Sequence, residues 1–216
     1  MQSLPVVLLL LLLSFSDTKA QHLQQKFSWS PYLKAQVLEA YGDSMYFYHR
    51  LAQTYCESGF NPRATSDFTG WKRTRLDTVS AIRKRKGAAG LCQFIYPTAE
   101  RYGAISINTK AAAETSLTPD IYNPFWSLKA LCAYMKNIGR TLAMTKNMKA
   151  RRALMTDRRF NELVSTASYN TGEGRILDRL NKFGSNWEKI KYSILPEPRN
   201  YAERIYSIAT AEQEGP

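Results

Sequence analysis

The chain has 216 residues, of which 44% are hydrophobic, 12% aromatic and 22% charged. That balance supports one globular domain with a packed core and excludes disordered, collagen-like and low-complexity classes. The net charge of +12 points to polyanionic partners, while two histidines, His22 and His49, argue against a Ser-His-Asp triad, a Cys-His dyad or a multi-histidine metal site.

At the N-terminus the apolar run Val6–Leu13 is followed by Ser14-Phe15-Ser16-Asp17 and the small-residue stop Thr18-Lys19-Ala20. This predicts a secretory signal over residues 1–20, since the run is far short of the ~20 apolar residues that a membrane-spanning helix needs. The absence of Lys or Arg from residues 1–5 leaves an uncleaved anchor as the alternative. Residues 21–42 are a lead-in.

Beyond it, apolar residues recur three and four apart almost throughout, without sustained alternation, so the fold class is mostly α. Met45, Tyr48, Leu51, Ala52 and Tyr55 mark one face of a helix that starts at an Asp43 or Ser44 N-cap and ends near Gly59 and Asn61-Pro62. Lys72 to Lys86 then sets seven cations against Asp77, a net +6. Asn123-Pro124, an N-cap followed by Pro, opens a helix from Phe125 to about Thr141 with Leu128, Leu131, Tyr134, Met135 and Ile138 on its apolar face. Lys146 to Arg159 sets six cations against Asp157, a net +5. A helix runs from about Asp157 to Tyr169 and stops at Thr171-Gly172. The last begins around Pro198, with Tyr201, Ile205, Ile208 and Ala209 facing inward. Neither a repeat nor a linker divides residues 43–210, so a single domain is predicted.

Glu57 is the carboxylate most suited to chemistry. It sits at the C-terminal end of an aromatic-rich helix, where the negative end of the helix dipole and burial beside Tyr55 and Phe60 both disfavour ionisation. A general acid working near neutral pH needs that environment.

Around it lie five ordered motifs. Cys56-Glu57-Ser58-Gly59-Phe60-Asn61-Pro62 with Ala64-Thr65-Ser66 comes first, then Ala88-Ala89-Gly90-Leu91-Cys92-Gln93-Phe94 with Pro97-Thr98-Ala99. Pro124, Ser127, Leu128, Leu131, Tyr134 and Met135 follow on a helix. Ser168-Tyr169-Asn170-Thr171-Gly172 and Leu195-Pro196-Glu197-Pro198-Arg199-Asn200-Tyr201 complete the set. In this order they resemble the soluble lytic transglycosylases, relatives of goose-type lysozyme, over roughly residues 44–208. Departures from that pattern include Cys92 where a Met is usual, Pro198 where a Thr is usual, and Ser127, Leu128 and Leu131 in the helical motif.

The resemblance implies a lysozyme-like fold with a groove for a glycan strand. It also implies cleavage of the bond between N-acetylmuramic acid and N-acetylglucosamine in peptidoglycan, with no cofactor or metal. Glu57 would be the single catalytic acid/base. It first protonates the glycosidic oxygen, then takes the proton of the muramic C6 hydroxyl as that oxygen closes a 1,6-anhydro ring. Ser58 and Gln93 would hydrogen-bond the sugar beside the scissile bond. Tyr169, Asn170 and Tyr201 would line the groove, with the Tyr201 hydroxyl within reach of Glu57.

Hydrolysis instead requires a second carboxylate, ~5–5.5 Å away for retention or ~6.5–9.5 Å for inversion. Asp67 or Asp77 folded over the groove would make an inverting muramidase. A non-catalytic wall-binding or polyanion-binding module is the further alternative. Against the family pattern the basic stretches, 67–86 and about 140–159, are insertions. They suggest recruitment to anionic wall polymers or to a secretion, conjugation or phage apparatus, and no motif for specific nucleic-acid recognition accompanies them. The predicted location is exported, in the periplasm or cell envelope. Of the cysteines, Cys56 and Cys92 either pair across the groove floor or stay reduced together with Cys132.

Overall fold

A computed structural model describes residues 23–64, 87–105 and 121–214. The signal at 1–20, the first basic stretch at 67–86, and Thr65, Ser66, Asp67 and Asp77 lie outside the described residues.

The architecture is helical. Helices α1 (Leu23–Lys26) and α2 (Ser30–Tyr41) lead through a 3₁₀ turn (Ser44–Tyr46) into α3 (Phe47–Ser58). Strands β1 (Ala88–Ala89) and β2 (Phe94–Ile95) pair antiparallel, with Ala88 opposite Ile95, and α4 (Tyr96–Arg101) follows. Then come α5 (Pro124–Leu142), α6 (Met148–Thr156), α7 (Arg158–Thr171), α8 (Glu173–Phe183), α9 (Trp187–Tyr192) and α10 (Pro196–Glu214). Helix α10 packs along both α3 and α7, and α2 packs on α5.

The start signals act through their side chains. Asn123 accepts from the Phe125 N–H at 3.0 Å, and Asp157 from the Phe160 N–H at 3.0 Å, so α5 and α7 begin where expected. The segment after Asp43 differs from the single helix anticipated there. The Asp43 carboxylate accepts from the Met45 N–H, two residues on at 2.8 Å, and this tight closure favours a 3₁₀ turn before the α-helix proper.

Helix α3 is also buried more widely than one apolar face would require, since His49, Arg50, Gln53 and Thr54 are buried beside Leu51 and Ala52. The lead-in contributes α2, whose Leu33 and Val37 are fully buried in the main core. On α5 the expected face is buried at Leu128, Leu131, Met135 and Ile138, while Tyr134 stays partly exposed. On α10 Ile205 and Ala209 are buried, with Tyr201 and Ile208 partly so.

The second basic stretch forms α6 around buried Ala150 and Leu154. All three cysteines are free thiols. Cys92 and Cys132 are buried and Cys56 partly buried. Burial holds Cys56 up at about 11 and Cys132 at about 12, so neither is a ready nucleophile.

Gly90 fixes the loop between the two strands. Its φ of +77° lies in the left-handed region, and a Cβ there would fall 2.3 Å from the Ile121 carbonyl oxygen. Gly90→Ala is therefore expected to destabilise the fold by about 2–4 kcal/mol, combining the backbone penalty with overpacking. Urea denaturation beside the parent chain measures it, and a loss under ~1 kcal/mol would mean that the loop relaxes freely.

Candidate active site

Glu57 lies in the last turn of α3, and the chain leaves that helix through Gly59, whose φ is +61°. The Gly59 N–H closes on the Tyr55 carbonyl at 2.7 Å. Phe60 follows at φ +67°, its ring stacked on Phe27 with centroids 4.4 Å apart. That stacking braces an uncommon conformation for a non-glycine residue. The turn thus holds Glu57 at the wall of a cavity of about 530 Å³.

The cavity is lined by the β-hairpin and α4, through Ala88, Gln93, Phe94, Ile95 and Thr98, and by Tyr134 of α5 and residues 169–172 at the end of α7. Glu57 is the one carboxylate among these described lining residues. The rings of Phe94, Tyr134 and Tyr169 lie 5.3–6.3 Å apart, giving the wall an aromatic floor of the kind that sugar faces pack against. Burial first, and the carboxylate of Glu173 at the start of α8 second, push the Tyr134 hydroxyl above its ordinary pKa.

Burial pushes the Glu57 carboxyl up to about 7, against the opposing hydrogen bond that its Oε1 accepts from the Tyr201 hydroxyl. Gln53, close to the Tyr201 hydroxyl of α10, donates its amide to the Met135 sulfur at 3.7 Å. The Gln53 Oε1 accepts in turn from Arg50 Nη1 at 2.7 Å, and Arg50 Nη2 pairs with Glu162 of α7. Arg50 and Glu162 are 2% and 3% exposed. Burial opposes the Arg50 charge, but Glu162 beside it outweighs that and keeps the guanidinium protonated. A buried polar chain Glu162, Arg50, Gln53 thus stands behind the Tyr201–Glu57 pair, the two together drawing on three helices.

The hairpin loop is tied down from three helices. The Ser58 hydroxyl donates to the Leu91 carbonyl at 2.8 Å, the Tyr169 hydroxyl to the Cys92 carbonyl, and the Cys92 thiol to the Ser127 carbonyl at 3.7 Å. The Gln93 side-chain nitrogen donates to the carbonyls of Ala64 at 3.0 Å and Gly90 at 2.9 Å, and its own φ of +48° turns the chain back toward β2.

The six residues singled out from the sequence therefore divide. Glu57, Gln93, Tyr169 and Asn170 line the cavity together. Ser58, expected at the sugar, is not among the lining residues, and its hydroxyl donates to the Leu91 carbonyl, fastening α3 to the loop. Tyr201, expected in the lining, stands behind it and reaches the Glu57 carboxylate. Sequence reasoning missed the roles of Ile95, Thr98 and Tyr134 in the wall and the whole Arg50–Glu162 pair. The available signal was an arginine in mid-helix with no acidic residue three or four positions away on its own helix.

Chemically, a carboxyl protonated near neutral pH and facing a cavity can deliver a proton to a bound leaving group and take one back from an incoming hydroxyl. Among the known families, the model described as Transglycosylase SLT domain matches residues 38–191. No curated protein and no solved structure matches the chain significantly. The fold is lysozyme-like and mostly α, and the family acts on peptidoglycan of the cell wall, outside the cytoplasm, by lytic transglycosylase-type cleavage. With well over half of its length matched in one ordered span, the chain belongs to the transglycosylase SLT domain family.

Proposed function

We propose that this protein is an exported lytic transglycosylase that cuts the N-acetylmuramic acid–N-acetylglucosamine bond of peptidoglycan and leaves a 1,6-anhydromuramic end, with Glu57 as its single acid/base. The observation that carries this reading is the lone carboxyl among the described lining residues, protonated near neutral pH. Hydrolysis through two carboxylates needs a second acid across the cleft. An intramolecular nucleophile does not.

In this reading a glycan strand lies along the aromatic floor with the glycosidic oxygen against Glu57. Its proton moves to that oxygen as the bond to the muramic anomeric carbon breaks. The carboxylate so formed accepts the Tyr201 hydrogen bond, then removes the proton of the muramic C6 hydroxyl, whose oxygen bonds to the anomeric carbon. Glu57 ends protonated and no water is consumed. Gln93, Tyr169 and Asn170 face the sugar from the cavity wall, while Ser58 and Tyr201 act through the loop and the acid.

Digestion of purified sacculi followed by mass spectrometry tests the reaction class. Anhydro-muropeptides, each lighter by one water than the hydrolytic product, are expected; hydrated reducing ends would make the protein a muramidase instead.

Tyr201→Phe tests the environment of the acid. The lost hydrogen bond favours the ionised form, so its removal raises the Glu57 pKa above its present value of about 7. The alkaline limb of the kcat/KM profile is expected to move to higher pH, with the maximum lowered about tenfold as the carboxyl loses its anchor. An unmoved alkaline limb would remove Tyr201 from the acid's surroundings.

A further inference from the structure

The second basic stretch carries a feature that the cavity does not use. Of seven large hydrophobic side chains exposed among the described residues, three fall here: Met144 at 68%, Met148 at 68% and Met155 at 79%. Singly scattered surface hydrophobes need no explanation, but a cluster does.

On α6, Ala150 and Leu154 face the core. Met148, Arg151, Arg152 and Met155 occupy positions i, i+3, i+4 and i+7 and form one outward stripe about 100° wide. Arg151 is steadied by donating to the Thr145 carbonyl at 2.9 Å. Lys149 flanks the stripe, and Arg140, Lys146 and Arg159 are exposed around it. Asp157, the sole acidic residue of 140–159, caps α7 at the Phe160 N–H.

Thioethers interleaved with cations select the partner. A soluble polyanion, such as a wall phosphate polymer or a nucleic acid, satisfies the cations and leaves the methionines in water. A surface that is anionic outside and apolar just beneath satisfies both. Unbranched Met and Arg side chains also adapt to a fluid surface without a shaped counterpart.

We propose that the α6 face docks the protein on anionic lipid, with Met148 and Met155 entering the boundary between headgroups and acyl chains and the guanidinium groups binding phosphates. Placement agrees with use. The Asn161 amide of α7 donates to the Leu154 carbonyl at 2.9 Å, so α6 rests on the first turns of α7, whereas the cavity lies at residues 169–172. From Asn161 to Asn170 the helix advances about 14 Å, which separates the α6 contact from the cavity along α7.

The test uses the full chain and does not depend on glycan cleavage, so it stands or falls apart from the proposed reaction. The rate of peroxide oxidation at Met148 and Met155 is followed by peptide mass spectrometry, alone, with phosphatidylglycerol vesicles, with phosphatidylcholine vesicles and with poly-glutamate. Both methionines are expected to be protected by phosphatidylglycerol only. Arg151→Ser/Arg152→Ser should weaken vesicle affinity about 25-fold, roughly fivefold per cation, and restore oxidation. Unchanged oxidation with phosphatidylglycerol, equal protection by both lipids, or protection that survives the arginine changes overturns the proposal. Protection by poly-glutamate alone overturns it too and assigns the face to an acidic protein.

Discussion

Glu57→Gln is expected to reduce release of muropeptides from sacculi by a factor of about 10²–10⁴, the range that positioned acid–base groups contribute. Glutamine keeps the volume of the side chain and an oxygen that accepts from Tyr201, so the fold and the glycan contacts persist while the transferable proton is gone. Binding to sacculi should be retained. Cleavage at the parent rate would dismiss Glu57 as the acid.

The same variant should be more stable than the parent above neutral pH. The Glu57 pKa is about 7 in the folded protein against 4.5 for an ordinary Glu. Below pH 4.5 both folded and unfolded states carry the proton and the parent is unpenalised. As pH rises, the unfolded state releases its proton first, so the parent loses stability progressively and the loss is complete once the folded carboxyl has ionised above pH 7. At 1.36 kcal/mol per unit that loss is about 3 kcal/mol. Urea titrations of the two proteins at pH 4 and pH 8.5 should show the gap opening in favour of Glu57→Gln, a stability penalty for holding a working acid. A constant gap across that range would mean that the carboxyl titrates as it does in water.

The largest effect on stability is expected at the buried pair Arg50–Glu162. Glu162→Ala strands a guanidinium that is 2% exposed, and breaking such a pair from one side destabilises by about 3–5 kcal/mol. Domains of this size are stable by only ~5–15 kcal/mol, so the variant should unfold at markedly lower urea. Replacing both partners, Arg50→Met with Glu162→Leu, removes the charge and its desolvation together and should recover most or all of the loss. Activity should not recover with it, because Gln53 then lacks the Arg50 donor that fixes it close to the Tyr201 hydroxyl. A double variant both stable and fully active would reduce the Arg50–Glu162 pair to packing.

How much of this was legible in the chain differs from element to element. The starts of α5 and α7 were readable because an N-cap is a local device: Asn123 and Asp157 each satisfy a backbone donor two or three residues away. The turn after Asp43 was readable as a boundary but not as 3₁₀, since Asn, Asp and Ser caps precede either geometry. Glu57 stood out by its place at a helix end, and its motifs by their order. The bond of Ser58 to Leu91, 33 residues on, was not readable, because a hydroxyl at a helix terminus bonds whatever carbonyl the fold presents.

The sequence by itself thus determined the helical class, the family resemblance, the candidate acid and the concentration of excess charge in two stretches, because periodicity, caps, motif order and charge are properties of neighbours along the chain. Only the tertiary structure decided which polar groups meet. Tyr201 reaches Glu57 across 144 residues and Arg50 reaches Glu162 across 112. Such pairings follow from how α3, α7 and α10 pack, and no local pattern encodes them. The +12 charge was likewise a single number in the sequence. Folding sorts its second stretch into an inner row, Ala150 and Leu154, and an outer row where Met148 and Met155 bracket Arg151 and Arg152, because a helix turns each residue about 100° from the one before it.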